Sequence, residues 1–201
     1  MNGTICAIIV TYNRKDLLLS CIQSILEQSI LVDSIFIIDN DSTDGTSCEL
    51  INKGYIAFAD KKESSTLKGR IKIVYKKLSE NIGGAGGFAE GLRIAKKQGF
   101  DWYWLMDDDA EPDKTCLENL IRKANNHENV GFVSPLIIHK VTNEHQLYHH
   151  KRIDNNLSEK EPLSLNEIGR NKQIFIDANA FVGPLISDKV IEKVGFPRSD
   201  F

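Results

Sequence analysis

Trp102-Tyr103-Trp104-Leu105-Met106-Asp107-Asp108-Asp109-Ala110 carries an apolar run straight into three consecutive carboxylates. The run reads as a buried strand over residues 101–106 that reaches the surface in concentrated negative charge. Adjacent like charges repel, and a fold keeps them only where something offsets them. A hard divalent cation does so through oxygen ligands. Mg2+ and Mn2+ often take one or two carboxylates and complete their shell with phosphate and water. Asp is also common in turns and at helix N-caps, and Pro112 marks a turn here. Alone, the triplet is more often a loop than a metal site. The segments upstream reverse those odds.

Working back toward the start, Thr4 to Thr11 is a continuous β-branched apolar run, typical of a strand buried on both faces of a parallel sheet. The polar Tyr12-Asn13-Arg14-Lys15-Asp16 follows, and then Leu17, Leu18, Cys21, Ile22 and Ile25 recur at helical spacing. Ser34 to Ile38 predicts a second buried strand running into Asp39-Asn40-Asp41-Ser42-Thr43-Asp44-Gly45-Thr46, dense in turn and capping residues, with a short helix through Cys48, Leu50 and Ile51. Residues 61–66 read as a solvated loop. Ile71 to Tyr75 predicts a third strand. Asn81-Ile82-Gly83-Gly84-Ala85-Gly86-Gly87 then opens a helix marked by Phe88, Leu92 and Ala95 and ending near Gly99. The β-α-β-α order implies right-handed crossovers and a mostly parallel sheet flanked by helices.

Downstream, Leu117, Leu120, Ile121 and Ala124 predict another helix, and Val130 to Ile138 a further strand, at an edge or bulged because of Pro135. Residues 139–172 are polar, and their His145, His149 and His150 read as exposed loop histidines rather than metal ligands. Ile174 to Val182 is a last apolar element, and Ser187 caps a short helix carrying Val190, Ile191 and Val194. No internal repeat and no linker is visible, so the 201 residues form one domain. A charged content of 26% and a net charge of −3 give no electrostatic footprint for nucleic acid. The four cysteines lack any CxxC pairing, and Cys6, Cys21 and Cys116 fall among apolar residues. Buried free thiols are expected, which suits a reducing cytoplasm. The apolar run Ile5–Val10 is too short for a signal or membrane span, which leaves peripheral membrane contact open.

In an open parallel sheet ligands bind at the carboxyl ends of the strands. Those ends carry Thr11-Tyr12, Asp39, Asn81 with its glycines, and Asp107 to Asp109. Asp39 can accept hydrogen bonds from a base or ribose, or can cap the turn that follows it. The glycines let backbone approach a ligand, with a helix N-terminus behind them for phosphate, or they serve a tight turn or close helix packing. No register within Gly83 to Gly91 satisfies G-x-G-x-x-G, and no Gly-Lys-Ser/Thr occurs, which disfavours dinucleotide-binding and P-loop folds.

Ile8 to Arg14, Ile38 to Thr46, Asn81 to Phe88 and Met106 to Asp109, in that order and spacing, resemble the family-2 glycosyltransferases of the GT-A fold. The resemblance covers nearly the whole chain. The Gly-Gly-Ala-Gly-Gly-Phe form joined to Asp-Asp-Asp looks most like the galactofuranosyltransferase and rhamnosyltransferase branches. It implies an enzyme with a nucleotide-sugar-binding half over residues 1–110 and the start of an acceptor-side half over 111–201. Thr11, Tyr12 and Arg14 would line the nucleotide pocket, and Asp39 would meet the base or ribose. Asn81, Gly83 and Gly84 would border the diphosphate and sugar. Asp107 and Asp109 would contact Mn2+ or Mg2+, and Asp108 the nucleotide or sugar. Ala178 to Val182 would border donor sugar and acceptor.

The implied reaction is inverting transfer from a nucleoside-diphosphate sugar, with UDP-galactofuranose expected ahead of dTDP-rhamnose. The acceptor would be a glycan, a lipid-linked glycan or a surface-polysaccharide precursor, met in the cytoplasm at the inner face of the plasma membrane. A cation stabilises the leaving diphosphate, and a carboxylate base takes the acceptor proton. The family places that base shortly after a Gly-Phe-Pro-like segment. It is therefore expected beyond Phe201, Asp200 being wrongly placed, and the chain is expected to be a truncated piece. An inactive, donor-binding domain is one alternative. A nucleotidyltransferase is another, disfavoured because the loop after the first strand has no glycine.

Overall fold

The computed structural model describes residues 3–57, 63–127, 130–156, 158–160, 163–170 and 173–198. Four strands form its parallel centre: β1 (Ile5–Thr11), β2 (Ser34–Asp39), β4 (Ile71–Lys77) and β5 (Trp102–Asp107). β1 and β2 are buried along their whole length, as the unbroken apolar runs predict. Three antiparallel or peripheral strands extend the sheet: β3 (Glu63–Lys68), β6 (Phe132–Val133) and β9 (Leu185–Ser187). The seven-stranded order is β3-β4-β2-β1-β5-β9-β6.

Alternation along the strands divides the core in two. Ile5, Ala7, Ile9, Ile35, Ile37, Ile73 and Tyr75 face α1 (Lys15–Leu26), α2 (Thr46–Asn52) and α4 (Cys116–Asn125). Cys6, Ile8, Val10, Phe36, Ile38 and Val74 face α3 (Gly83–Lys96) and α6 (Asp188–Val194). The result is a three-layer α/β/α arrangement. β1 pairs with β2 from Cys6↔Ser34 to Thr11↔Asp39 and with β5 from Ile5↔Trp102 to Val10↔Asp107. β2 pairs with β4 up to Asp39↔Lys77. These registers bring the polar strand ends to one edge. Among the described residues, no helix is long and apolar enough to cross a membrane. Cys6 and Cys21 are buried free thiols, Cys116 is half-buried and Cys48 is exposed.

Several expectations are corrected. Residues 63–66 belong to edge strand β3, not to a loop. Their pattern is hydroxyl-rich rather than apolar, and Thr66 Oγ1 donates to Tyr55 O (2.5 Å) and Ala57 N–H to Ser64 Oγ (3.2 Å). The strand expected over 130–138 shrinks to Phe132–Val133, because Pro135 cannot donate to a ladder. Of residues 174–182, only β8 (Ala178–Asn179) pairs, with β7 (His150–Lys151) in a separate ribbon, and Phe175 is 78% exposed. That ribbon buries His150, whose Nδ1 lies 2.6 Å from Asn179 Oδ1; His149 is half-buried, and only His145 is exposed as expected. β9 has no expected counterpart. The short helix α5 (Leu165–Arg170) falls in the polar stretch. The expected cap at Ser187 precedes α6, without a side-chain capping bond.

The glycines of α3 have different reasons. A Cβ on Gly91 would meet Ile8 Cγ2 at 2.6 Å and Ile38 Cγ1 at 3.0 Å, so the helix lies directly on the sheet there. Gly84 has nothing within 4 Å. Gly91→Ala is therefore expected to lower stability by about 1–3 kcal/mol through overpacking. Gly84→Ala should be neutral or raise it by up to about 1 kcal/mol through helix propensity. Urea unfolding midpoints of the two variants check this.

Candidate functional site

The site is assembled at the carboxyl edge of the parallel strands. The loops after β1 and β2 are stitched to each other. Asn13 N–H donates to Ser42 Oγ (2.9 Å), Thr43 N–H to Asn13 Oδ1 (2.7 Å) and Lys15 N–H to Asp44 Oδ2 (3.1 Å). Asn13 and Asp41 both hold positive φ (53° and 66°), a left-handed conformation that Asn and Asp tolerate better than most residues. Tyr12 is exposed on this rim.

Asp39 stands apart from the surface residues. It is 0% exposed. Its Oδ1 accepts from Ser42 N–H (2.7 Å) and its Oδ2 from the Tyr75 hydroxyl (2.7 Å). Burial, and then Asp39 itself, push the Tyr75 hydroxyl well above the ordinary tyrosine range, so it stays a donor. In this arrangement the Asp39 carboxylate holds the turn from Asp39 to Ser42. Neighbouring Asn40 ties β2 to α3, its Nδ2 donating to Gly83 O (3.1 Å) and its backbone N–H to Thr11 O (2.9 Å).

The glycine segment forms the next wall. Asn81 is exposed and its Oδ1 accepts from Gly83 N–H (2.9 Å), while Gly83 holds φ +75°. α3 then starts without a side-chain capping bond and without an acidic residue in its first turn. The first amide of the helix, Gly83 N–H, is thus taken by Asn81, and the N–H groups that follow it in the first turn meet no side-chain acceptor among the described residues.

The three aspartates separate by direction. Asp107 and Asp109 line a groove of about 1370 Å³, whereas Asp108 is 3% exposed and turns inward. Thr11 Oγ1 donates to Asp108 Oδ2 (2.7 Å). Burial raises the Asp108 carboxyl, opposed by Thr11 and Arg14. Asp107 is pushed up to about 6, first by burial and then by the charges of Asp109 and Asp108. Arg14 Nη1 lies 3.2 Å from Asp109 Oδ2 and 3.5 Å from Asp108 Oδ1. The rest of the groove mixes apolar side chains such as Leu136 and Phe175 with polar and charged ones such as Lys123, His127, Lys140 and Gln173. Trp104 Nε1 donates to Gly183 O (3.0 Å), which anchors the loop after residues 178–182 to β5. Within that segment Phe181 packs on Phe88 of α3, ring centres 4.7 Å apart.

Thr11, Arg14, Asp107, Asp108 and Asp109 are thus brought together. Asn81, Gly83 and Gly84 flank them, and Asp39 lies beneath. Asn13, Asn40, Ser42 and Tyr75 were not singled out from the sequence. Asn13 and Ser42 sit inside the quoted motifs and were legible there as turn formers. Tyr75 is marked only by its register opposite Ile37, two residues before Asp39.

The family model for glycosyl transferase family 2 matches residues 6–193. The galactofuranosyltransferase GlfT1 of Mycolicibacterium smegmatis is 32% identical over 135 residues, 66% of this chain and 39% of that protein. GlfT1 of Mycobacterium tuberculosis is 32% identical over 139 residues, 68% of this chain and 40% of that protein. The chain therefore spans about two-fifths of the length of these curated relatives. Among solved structures, a mannosyltransferase from Pyrobaculum calidifontis (PcManGT), in complex with GDP-Man and Mn2+, superposes with a TM-score of 0.64 at 17% identity, covering 100% of this chain and 49% of that one. S. aureus TarS 1-349 gives 0.62 at 14%, covering 98% and 51%. These likenesses show a shared GT-A fold. With its motifs in order at one sheet edge and the family pattern running from residue 6 to residue 193, this chain belongs to glycosyl transferase family 2.

Proposed function

We propose that this chain forms the donor-binding part of an inverting, metal-dependent glycosyltransferase. The observation that carries the reading is the split of the aspartates: Asp107 and Asp109 share one groove while Asp108 is held inward by Thr11. The donor is a nucleoside-diphosphate sugar, with UDP-galactofuranose favoured by the glycine motif and by the activity for which the GlfT1 relatives are named. The acceptor is a glycan or lipid-linked glycan, met at the cytoplasmic face of the membrane.

The residues suit a divalent cation. Asp107 and Asp109 offer hard oxygen donors, and the Asp107 carboxyl is raised first by burial and then by the neighbouring negative charges of Asp109 and Asp108. Among the described residues no group of three or more His, Cys, Asp or Glu is poised for a metal. Two protein carboxylates, with phosphate and water completing the shell, is the habit of Mg2+ and Mn2+. Such a cation supplies positive charge to the departing diphosphate. The chain's own contribution is positional. Thr11 locks Asp108, the Asn13–Ser42 stitching fixes the rim, and the first-turn amides of α3 beyond Gly83, whose own N–H is held by Asn81, offer donors to phosphate. Gly84, which no packing contact requires to be glycine, leaves room for donor approach.

Calorimetric titration of UDP, dTDP and GDP tests this, with Mn2+ and with EDTA, on wild type and Asp109→Asn. One nucleotide is expected to bind with Mn2+, at least tenfold more weakly with EDTA or in the variant. Binding indifferent to both changes, or no binding at all, overturns the reading. A second outcome follows from Asp107. Its carboxyl is raised from the ordinary 3.8 to about 6, so its favourable contribution is complete below the unfolded value and is lost as pH rises through about 6. In EDTA, Asp107→Asn should match wild-type stability near pH 4 and exceed it by about 1–2 kcal/mol at pH 8, after discounting for partial exposure. Denaturant unfolding at the two pH values measures the difference.

A further inference from the structure

Arg14 makes a contact that the donor-site reading leaves unexplained. Its side chain is 54% exposed, and it stands at the N-cap of α1 without a capping bond. One nitrogen, Nη1, serves two carboxylates at once, 3.2 Å from Asp109 and 3.5 Å from Asp108. Both distances exceed the roughly 2.7–2.9 Å of a well-made charge-assisted bond, and the planar fork of the guanidinium is unused. Asp108 does not depend on this contact, being buried and held by Thr11. Asp109, 49% exposed, has Arg14 as its one hydrogen-bond and ion-pair partner among the described residues, with His149 near enough to feel its charge. The loose contact therefore neutralises the carboxylate that also faces the groove.

We propose that Arg14 is a placeholder for the divalent cation: it neutralises Asp109 while the donor site is empty, and it exchanges that carboxylate for the donor's diphosphate when a cation takes Asp109. The inference rests on the donor-site reading above. Its physical basis is charge. A carboxylate oxygen engaged by a guanidinium is less available to a metal, and two cations a few ångströms apart repel each other. The exchange disrupts little packing, because the Arg14 side chain is half in solvent and its contact is long. Once released, a planar group with five N–H donors suits phosphate oxygens better than a single ammonium would. Arg14 then opposes metal binding alone and favours metal and nucleotide together, a coupling free energy between the two ligands.

The test uses the 201-residue chain as wild type, Arg14→Gln and Arg14→Lys, each checked for folding by its unfolding midpoint. Mn2+ affinity without nucleotide is read from the electron paramagnetic resonance of free Mn2+. UDP affinity is read by calorimetry at saturating Mn2+. Arg14→Gln is expected to tighten Mn2+ roughly three- to tenfold and to weaken UDP at least tenfold. Arg14→Lys, which keeps the charge without the fork, should fall between in both measurements. Opposite signs in the two are what a merely structural role would not produce. If Mn2+ affinity is unchanged or weakened in Arg14→Gln, or UDP affinity is unchanged, the exchange is refuted while the donor site stands. A wild-type chain that binds neither Mn2+ nor UDP overturns the donor-site reading, and this inference with it.

Discussion

The constraint on which the structure depends is the parallel pairing of four strands, of which β1, β2 and the interior of β5 are buried on both faces. A strand covered on both sides must be apolar throughout its length, so its polar residues are driven to its ends. β1, β2 and β5 each meet this requirement and each end in a hydroxyl or carboxylate: Thr11, Asp39 and Asp107. The registers Thr11↔Asp39 and Val10↔Asp107 then place those ends side by side. The site is a consequence of that pairing, because the core leaves no other place for the charges.

Concentrating carboxylates at one edge has an electrostatic cost, and the chain meets it unevenly. Asp39 is buried and satisfied by Ser42 and Tyr75, and Asp108 by Thr11. Asp107 and Asp109 are left facing the groove, with a loosely placed Arg14 against Asp109. This unevenness separates carboxylates that stabilise the architecture from carboxylates available to a ligand. The same division runs through α3, where Gly91 is demanded by Ile8 and Ile38 and Gly84 by no neighbour within the protein.

Long-period patterns were legible and short or mixed ones were not. The four parallel strands and α1, α3 and α4 follow from sustained apolar runs or helical spacing. β3 escaped because its ladder is built from Ser64, Ser65 and Thr66, whose side chains signal a loop. β9 escaped because three residues are too few for a period, and its place beside β5 comes from the return of the chain through Pro184. The segment 174–182 is apolar but does not enter the sheet. Phe175 stays exposed, Phe181 packs on Phe88, and only Ala178–Asn179 pairs.

What the sequence determined by itself is the class of fold, the edge at which chemistry gathers, and the residues gathered there, because buried parallel strands and their polar ends are written in local composition. The tertiary structure decided how those residues divide. It turned Asp108 inward and left Asp107 and Asp109 in the groove, buried Asp39 beneath Tyr75, and set Arg14 across two carboxylates. Each of these depends on contacts between residues 36 to 97 positions apart, and no local pattern records which neighbour a side chain will meet.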